Sequence, residues 1–131
     1  MIGLDTNILI RYLVQDEPAQ AARATALIER DLSEAEPAYV SVLAMAETAW
    51  VLERVYRCES SEIAAAIERL LQLDVLRIES EQEVFTAMIA LKEGRGSFAD
   101  ALIGALGTKA GCSRTLTFDK KALRLGSFQL A

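Results

Sequence analysis

With 131 residues, 52% of them hydrophobic, and only 2 prolines and 7 glycines, the chain fits one core-forming domain and excludes a disordered or linker-rich polymer. It has no histidine, which removes Ser-His-Asp and Cys-His catalysis and imidazole zinc sites, and its 2 cysteines are too few for a thiolate zinc centre. The net charge of −5 is unevenly spread: residues 1–91 carry 7 basic and 16 acidic groups, whereas residues 92–131 carry 7 basic and 3 acidic ones.

The predicted elements alternate short apolar strands with longer amphipathic helices, the pattern of an α/β protein with a mostly parallel sheet. Strands are expected at Met1 to Leu4, Ala38 to Val40, Val75 to Ile78, Arg114 to Thr117 and Phe128 to Leu130, usually with two helices in each crossover. Asp16-Glu17-Pro18 starts a helix whose apolar stripe is Ala24, Leu27 and Ile28. Ile63, Ile67, Leu70 and Leu71 mark another buried helix face, and Ser80 with Glu83 fits a capping box ahead of Val84, Ala87, Met88 and Leu91. Cys58 and Cys112 are expected to be buried thiols in a reducing compartment. The opening Met1-Ile2-Gly3-Leu4-Asp5 has no basic leader region, and the longest uncharged run, Pro37 to Ala46, is too short for a membrane span. A cytoplasmic, single-domain protein is the expectation.

Four acids interrupt apolar sequence. Asp5 closes the first strand, at the edge of an open α/β sheet where ligands bind, although an Asp there also suits a helix N-cap. Glu47 and its neighbour Thr48 are the only polar residues from Val42 to Leu52, so this acid must face the core or a cleft unless it reaches solvent or an arginine such as Arg54. Asp100 is the only charge from Ser97 to Thr108, a Gly- and Ala-rich helix that permits close packing, and Ser97-Phe98-Ala99-Asp100 also reads as a capping box. Asp119 ends the last long strand signal, where alternation puts Thr115, Thr117 and Asp119 on one side and Leu116 and Phe118 on the other. Each has an ordinary capping or surface explanation, yet all four fall at strand ends or helix beginnings that meet along one edge of a parallel sheet.

Acids gathered at such an edge repel one another unless cations neutralise them. Oxygen-only ligation selects a hard divalent ion, Mg²⁺ or Mn²⁺, and such an ion activates water and neutralises a phosphodiester. Metal-dependent phosphoester hydrolysis is therefore the expected chemistry, with Thr6, Asn7 and Thr117 orienting the acids. Lys92, Arg95, Lys120 and Lys121 in the basic final third are the expected contacts to a polyanion backbone, with an ordinary solvated surface as the plain alternative. No Walker-type loop or dinucleotide fingerprint is present.

The opening Met1-Ile2-Gly3-Leu4-Asp5-Thr6-Asn7, the helix carrying Glu47, Phe98-Ala99-Asp100-Ala101-Leu102-Ile103 and Thr115-Leu116-Thr117-Phe118-Asp119 together resemble the PIN domain, in particular the VapC-type toxin ribonucleases of bacterial toxin–antitoxin pairs. The resemblance covers essentially the whole chain. It implies a three-layer α/β/α fold around a five-stranded parallel sheet, a metal site of Asp5, Glu47, Asp100 and Asp119 supported by Asn7 and Thr117, and dependence on Mg²⁺ or Mn²⁺. It further implies cleavage of RNA to 5′-phosphate and 3′-hydroxyl ends, a homodimer, and a cognate antitoxin that masks the site.

PIN domains also serve RNA processing and decay, and the small size with no appended domain favours the toxin class. A phosphatase of haloacid-dehalogenase type would want a second Asp two residues after Asp5, where Asn7 stands. A receiver-like switching module would want paired acids at the start and a late lysine, and Lys120-Lys121 follows Asp119 too closely to match.

Overall fold

The computed structural model describes all residues, Met1–Ala131. Five strands form at the expected places: β1 (Ile2–Gly3), β2 (Ala38–Val40), β3 (Leu76–Ile78), β4 (Thr115–Thr117) and β5 (Phe128–Leu130). Helices α1 (Thr6–Val14) and α2 (Pro18–Ala26), the latter continuing into a π turn at Leu27–Asp31, join β1 to β2. Helices α3 (Val42–Arg54) and α4 (Ser60–Leu71) join β2 to β3, α5 (Glu81–Lys92) and α6 (Phe98–Lys109) join β3 to β4, and a 3₁₀ helix (Lys120–Leu125) leads to β5. Every pairing is parallel, as crossover connections require.

Hydrogen bonding groups the strands as β1-β2-β3 and β4-β5, not as one continuous five-stranded sheet. The second pair is seated on α6 through two glycines. A Cβ at Gly104 would lie 2.5 Å from Ser127 Oγ and 2.9 Å from the Phe128 ring, and one at Gly107 would lie 3.0 Å from Thr115 Oγ1. Helix and strands approach closely because those side chains are missing, as the Gly- and Ala-rich composition of α6 suggested. The alternation along β4 holds, with Thr115 and Thr117 half-buried and Leu116 and Phe118 exposed.

One cluster of 26 buried residues fills the space between β1-β2-β3 and the helices, with Leu9, Met45, Ile67, Val84 and Met88 wholly inside. Helix α2 begins as expected. Glu17 caps it by accepting from the Ala19 and Gln20 amides, and Pro18 occupies the first turn, where no donor is needed. The expected Ser80–Glu83 capping box does not form. Ser80 is left-handed at φ 52°, and Lys109 from α6 claims both side chains, donating to Ser80 Oγ at 3.0 Å and pairing with Glu83 at 3.5 Å. A long-range cation has displaced a local cap. The real capping box is Glu59 with Glu62, at the start of α4. Cys112 is exposed in the turn after α6, contrary to expectation, while Cys58 is half-buried; neither forms a disulfide.

Candidate active site

Asp5 lies two residues beyond β1 and caps α1, its Oδ1 accepting from the Thr6 amide at 2.8 Å. The capping reading and the ligand-edge reading are thus compatible, because the cap engages one carboxylate oxygen. Thr6, itself buried, donates its hydroxyl to Glu47 Oε1 at 2.5 Å. That short contact is a charge-assisted hydrogen bond joining α1 to α3 across 41 residues of sequence. One threonine therefore holds both acids, through its amide and through its hydroxyl.

Asp5, Thr6, Asn7 and Glu47 line a cavity of about 350 Å³ with Arg11, Val51 and Tyr56. Glu47 is exposed to this cleft rather than enclosed in the core. Arg54 does not reach it, but pairs with Glu53 at 3.9 Å and lies over the Trp50 ring. None of the four ion pairs in the molecule involves Asp5, Glu47, Asp100 or Asp119. The pair Asp5 and Glu47 accordingly offers uncompensated oxygen donors to one space, which fits a hard divalent cation, since Mg²⁺ is commonly held by one or two carboxylates together with waters and substrate phosphates.

Asp100 is half-buried in the first turn of α6, a helix packed against α3. Ser97 Oγ accepts from the Asp100 amide at 3.1 Å, but the return bond that would complete a capping box is not made. Asp119 is exposed and caps the 3₁₀ helix by accepting from the Lys121 amide at 2.9 Å, while its own amide donates to Thr117 Oγ1 at 3.0 Å. The structure thus brings Asp5 and Glu47 to one cavity and leaves Asp100 and Asp119 outside its lining. The acids do not form a ready-made cluster of three or more metal-ligating groups. One carboxylate oxygen of Asp119, Oδ1, is engaged in its cap.

Two lining residues escaped the sequence reading. Arg11 donates to Gln20 Oε1, Asp16 Oδ1 and Tyr56 Oη, and Tyr56 Oη donates in turn to Asp16 Oδ2 at 2.8 Å. The Tyr56 hydrogen bond, reinforced by the charge of Asp16, raises the Arg11 pKa above the usual arginine value against the opposing effect of desolvation. A signal for Arg11 was available: it lies four residues after Asn7, on the same helical face. Tyr56 follows the end of α3, where helical spacing no longer applies. Lys92, Lys120 and Lys121 are exposed, and Arg95 pairs with Glu93 at 2.9 Å.

The sequence is similar to that of known proteins. The family model of the PIN domain matches residues 2–127. A protein from Aquifex aeolicus (strain VF5) named VapC ribonuclease is 23% identical over 123 residues, spanning 94% of this chain and 90% of the relative.

Proposed function

Because the chain belongs to the PIN domain family, we propose that it is a divalent-metal-dependent endoribonuclease acting as the toxin of a toxin–antitoxin pair. The observation that carries the reading is the pair Asp5 and Glu47, bridged by Thr6 and free of ion pairs in one cleft. The similarity to a VapC ribonuclease supports the substrate class and the toxin role.

In this reading Asp5 and Glu47 hold Mg²⁺ or Mn²⁺, and Asp100 and Asp119 complete the acidic set. The ion, when bound, supplies charge neutralisation at a phosphodiester and makes water more acidic. Thr6 holds the Glu47 carboxylate at the cavity that Asp5 also lines, and Asn7 lines the same space with an amide that can accept or donate. Thr117 fixes the backbone of Asp119. Lys92, Arg95, Lys120 and Lys121 approach the RNA backbone from the basic final third. A homodimer and a covering antitoxin belong to the same proposal. Leu43 and Trp50, four residues before and three after Glu47 on α3, are 76% and 57% exposed, so a protein laid over Glu47 buries apolar surface as well.

The test is cleavage of RNA by the purified protein with Mg²⁺ or Mn²⁺. Activity should vanish with excess chelator, and Asp5→Asn should lower kcat at least about 100-fold without unfolding the protein. Undiminished cutting in chelator would reject the metal mechanism. Mapping of cellular RNA ends after induced expression should show new 5′-phosphate ends with the wild type and none with Asp5→Asn.

A further inference from the structure

A second cavity, of about 740 Å³, lies between α1 and α2 and shares Asn7 and Arg11 with the cavity of the acids. Its other walls include Ile8, Gln20, Arg23 and Leu27. Gln20, Arg23 and Leu27 are spaced three and four apart, so they form one face of the α2 segment, opposite Asn7 and Arg11 on α1. Arg11 is fixed there through Nε and Nη1 by Gln20, Asp16 and Tyr56, which leaves Nη2 uncommitted. Arg23 takes part in no ion pair. The lining contains one acid, Asp31, and Asp16 outside it pairs with Arg11 at 3.2 Å, so Arg23 is the cation of the cleft without an ion pair. A cleft with apolar walls, two side-chain amides and two planar cations has the chemistry of a site for an unstacked nucleotide: guanidinium forks match phosphate, and a base face takes apolar or guanidinium contact.

We propose that the α1–α2 cleft binds the nucleotide adjoining the scissile phosphodiester of single-stranded RNA, with Arg11 and Arg23 on its phosphate and Ile8 and Leu27 against its base. The proposal rests on the nuclease reading and adds where the strand runs as it leaves the acids. Shared lining residues make the two cavities one path, and Arg23, which has no ion pair, together with the free Nη2 of Arg11 offers guanidinium donors that suit a phosphate better than an apolar protein segment.

The experiment measures anisotropy of a fluorescein-labelled single-stranded RNA dodecamer bound to Asp5→Asn protein in EDTA, across a salt series. Adding Arg23→Gln should weaken binding roughly 5-fold and reduce the slope of log K against log salt by about 0.7, the loss of one single-strand phosphate contact. Arg30→Gln removes the same charge from an exposed position outside the cleft and should keep the affinity of the background protein. Melting temperatures of all three should agree, since Arg23 is exposed and unpaired. Equal losses for Arg23→Gln and Arg30→Gln would overturn the subsite in favour of diffuse charge. Unchanged affinity for Arg23→Gln, with wild type still cutting RNA, would overturn it alone and leave the cleft to a protein segment. Wild type that neither binds nor cuts RNA would overturn the subsite and the nuclease reading together.

Discussion

Thr6 does more for the acids than any other single side chain. Its amide holds Asp5 and its buried hydroxyl holds Glu47, so losing the hydroxyl frees Glu47 while leaving the α1 cap intact. Thr6→Val, which keeps the shape, should lower kcat about 10-fold, whereas Thr6→Ser should restore most of it. A merely structural role predicts parallel losses in melting temperature, and equal kcat for the Val and Ser variants would remove Thr6 from any positioning role. The two cysteines give an independent check on burial. Burial, with a smaller contribution from Glu62, raises the Cys58 pKa, so its reactive thiolate is scarcer than that of an ordinary thiol at neutral pH. Iodoacetamide should label exposed Cys112 first, and Cys112→Ser should abolish the fast phase.

Packing between elements, rather than local preference, sets the position of Asp119. Helix α6 presents Gly104 and Gly107 to Ser127, Phe128 and Thr115, and thereby seats the β4-β5 pair whose end carries Asp119. A methyl group at Gly104 forces the Phe128 ring or the backbone aside, so Gly104→Ala should destabilise by about 1–3 kcal/mol despite its better helix propensity. Thermal unfolding would show it, and a stabilised Gly104→Ala would mean that the close contact is absent. The start of α5 teaches a related lesson. Ser80 and Glu83 have the spacing of a capping box, and nothing nearby in sequence warned that Lys109 would take both. At Glu17-Pro18, where no distant group competes, the local signal and the structure agree. Local chemistry is legible when its partners are within a few residues and fails when a partner arrives from another helix.

Considered as one body, the molecule carries its excess acid in residues 1–91 and its excess base in residues 92–131, and the cleft of Asp5 and Glu47 contains one guanidinium, that of Arg11, whose Nε and Nη1 are held by Gln20, Asp16 and Tyr56. A divalent cation bound only by the native state should therefore stabilise the whole fold. At about 100 times its dissociation constant the gain is about 2.7 kcal/mol, or several degrees in melting temperature for a domain of this size. The shift should be seen with Mn²⁺ and be lost in Asp5→Asn; a flat titration at concentrations that saturate cleavage would count against binding at these acids.

The order of strands and helices, the apolar faces of α2 and α4, and the identity of four misplaced acids follow from residue type and period, because hydrophobic spacing and capping chemistry act over one or two turns. The family likewise emerges from short motifs in their order along the chain. Three matters needed the folded chain: that the strands group as three and two, that Asp5 and Glu47 share a cavity which Asp100 and Asp119 do not line, and that Arg11 and Tyr56 stand beside them. Each depends on contacts between residues far apart in sequence. Those contacts arise from how close two helices approach and which polar groups they leave for one another, quantities that no periodicity along a single segment encodes.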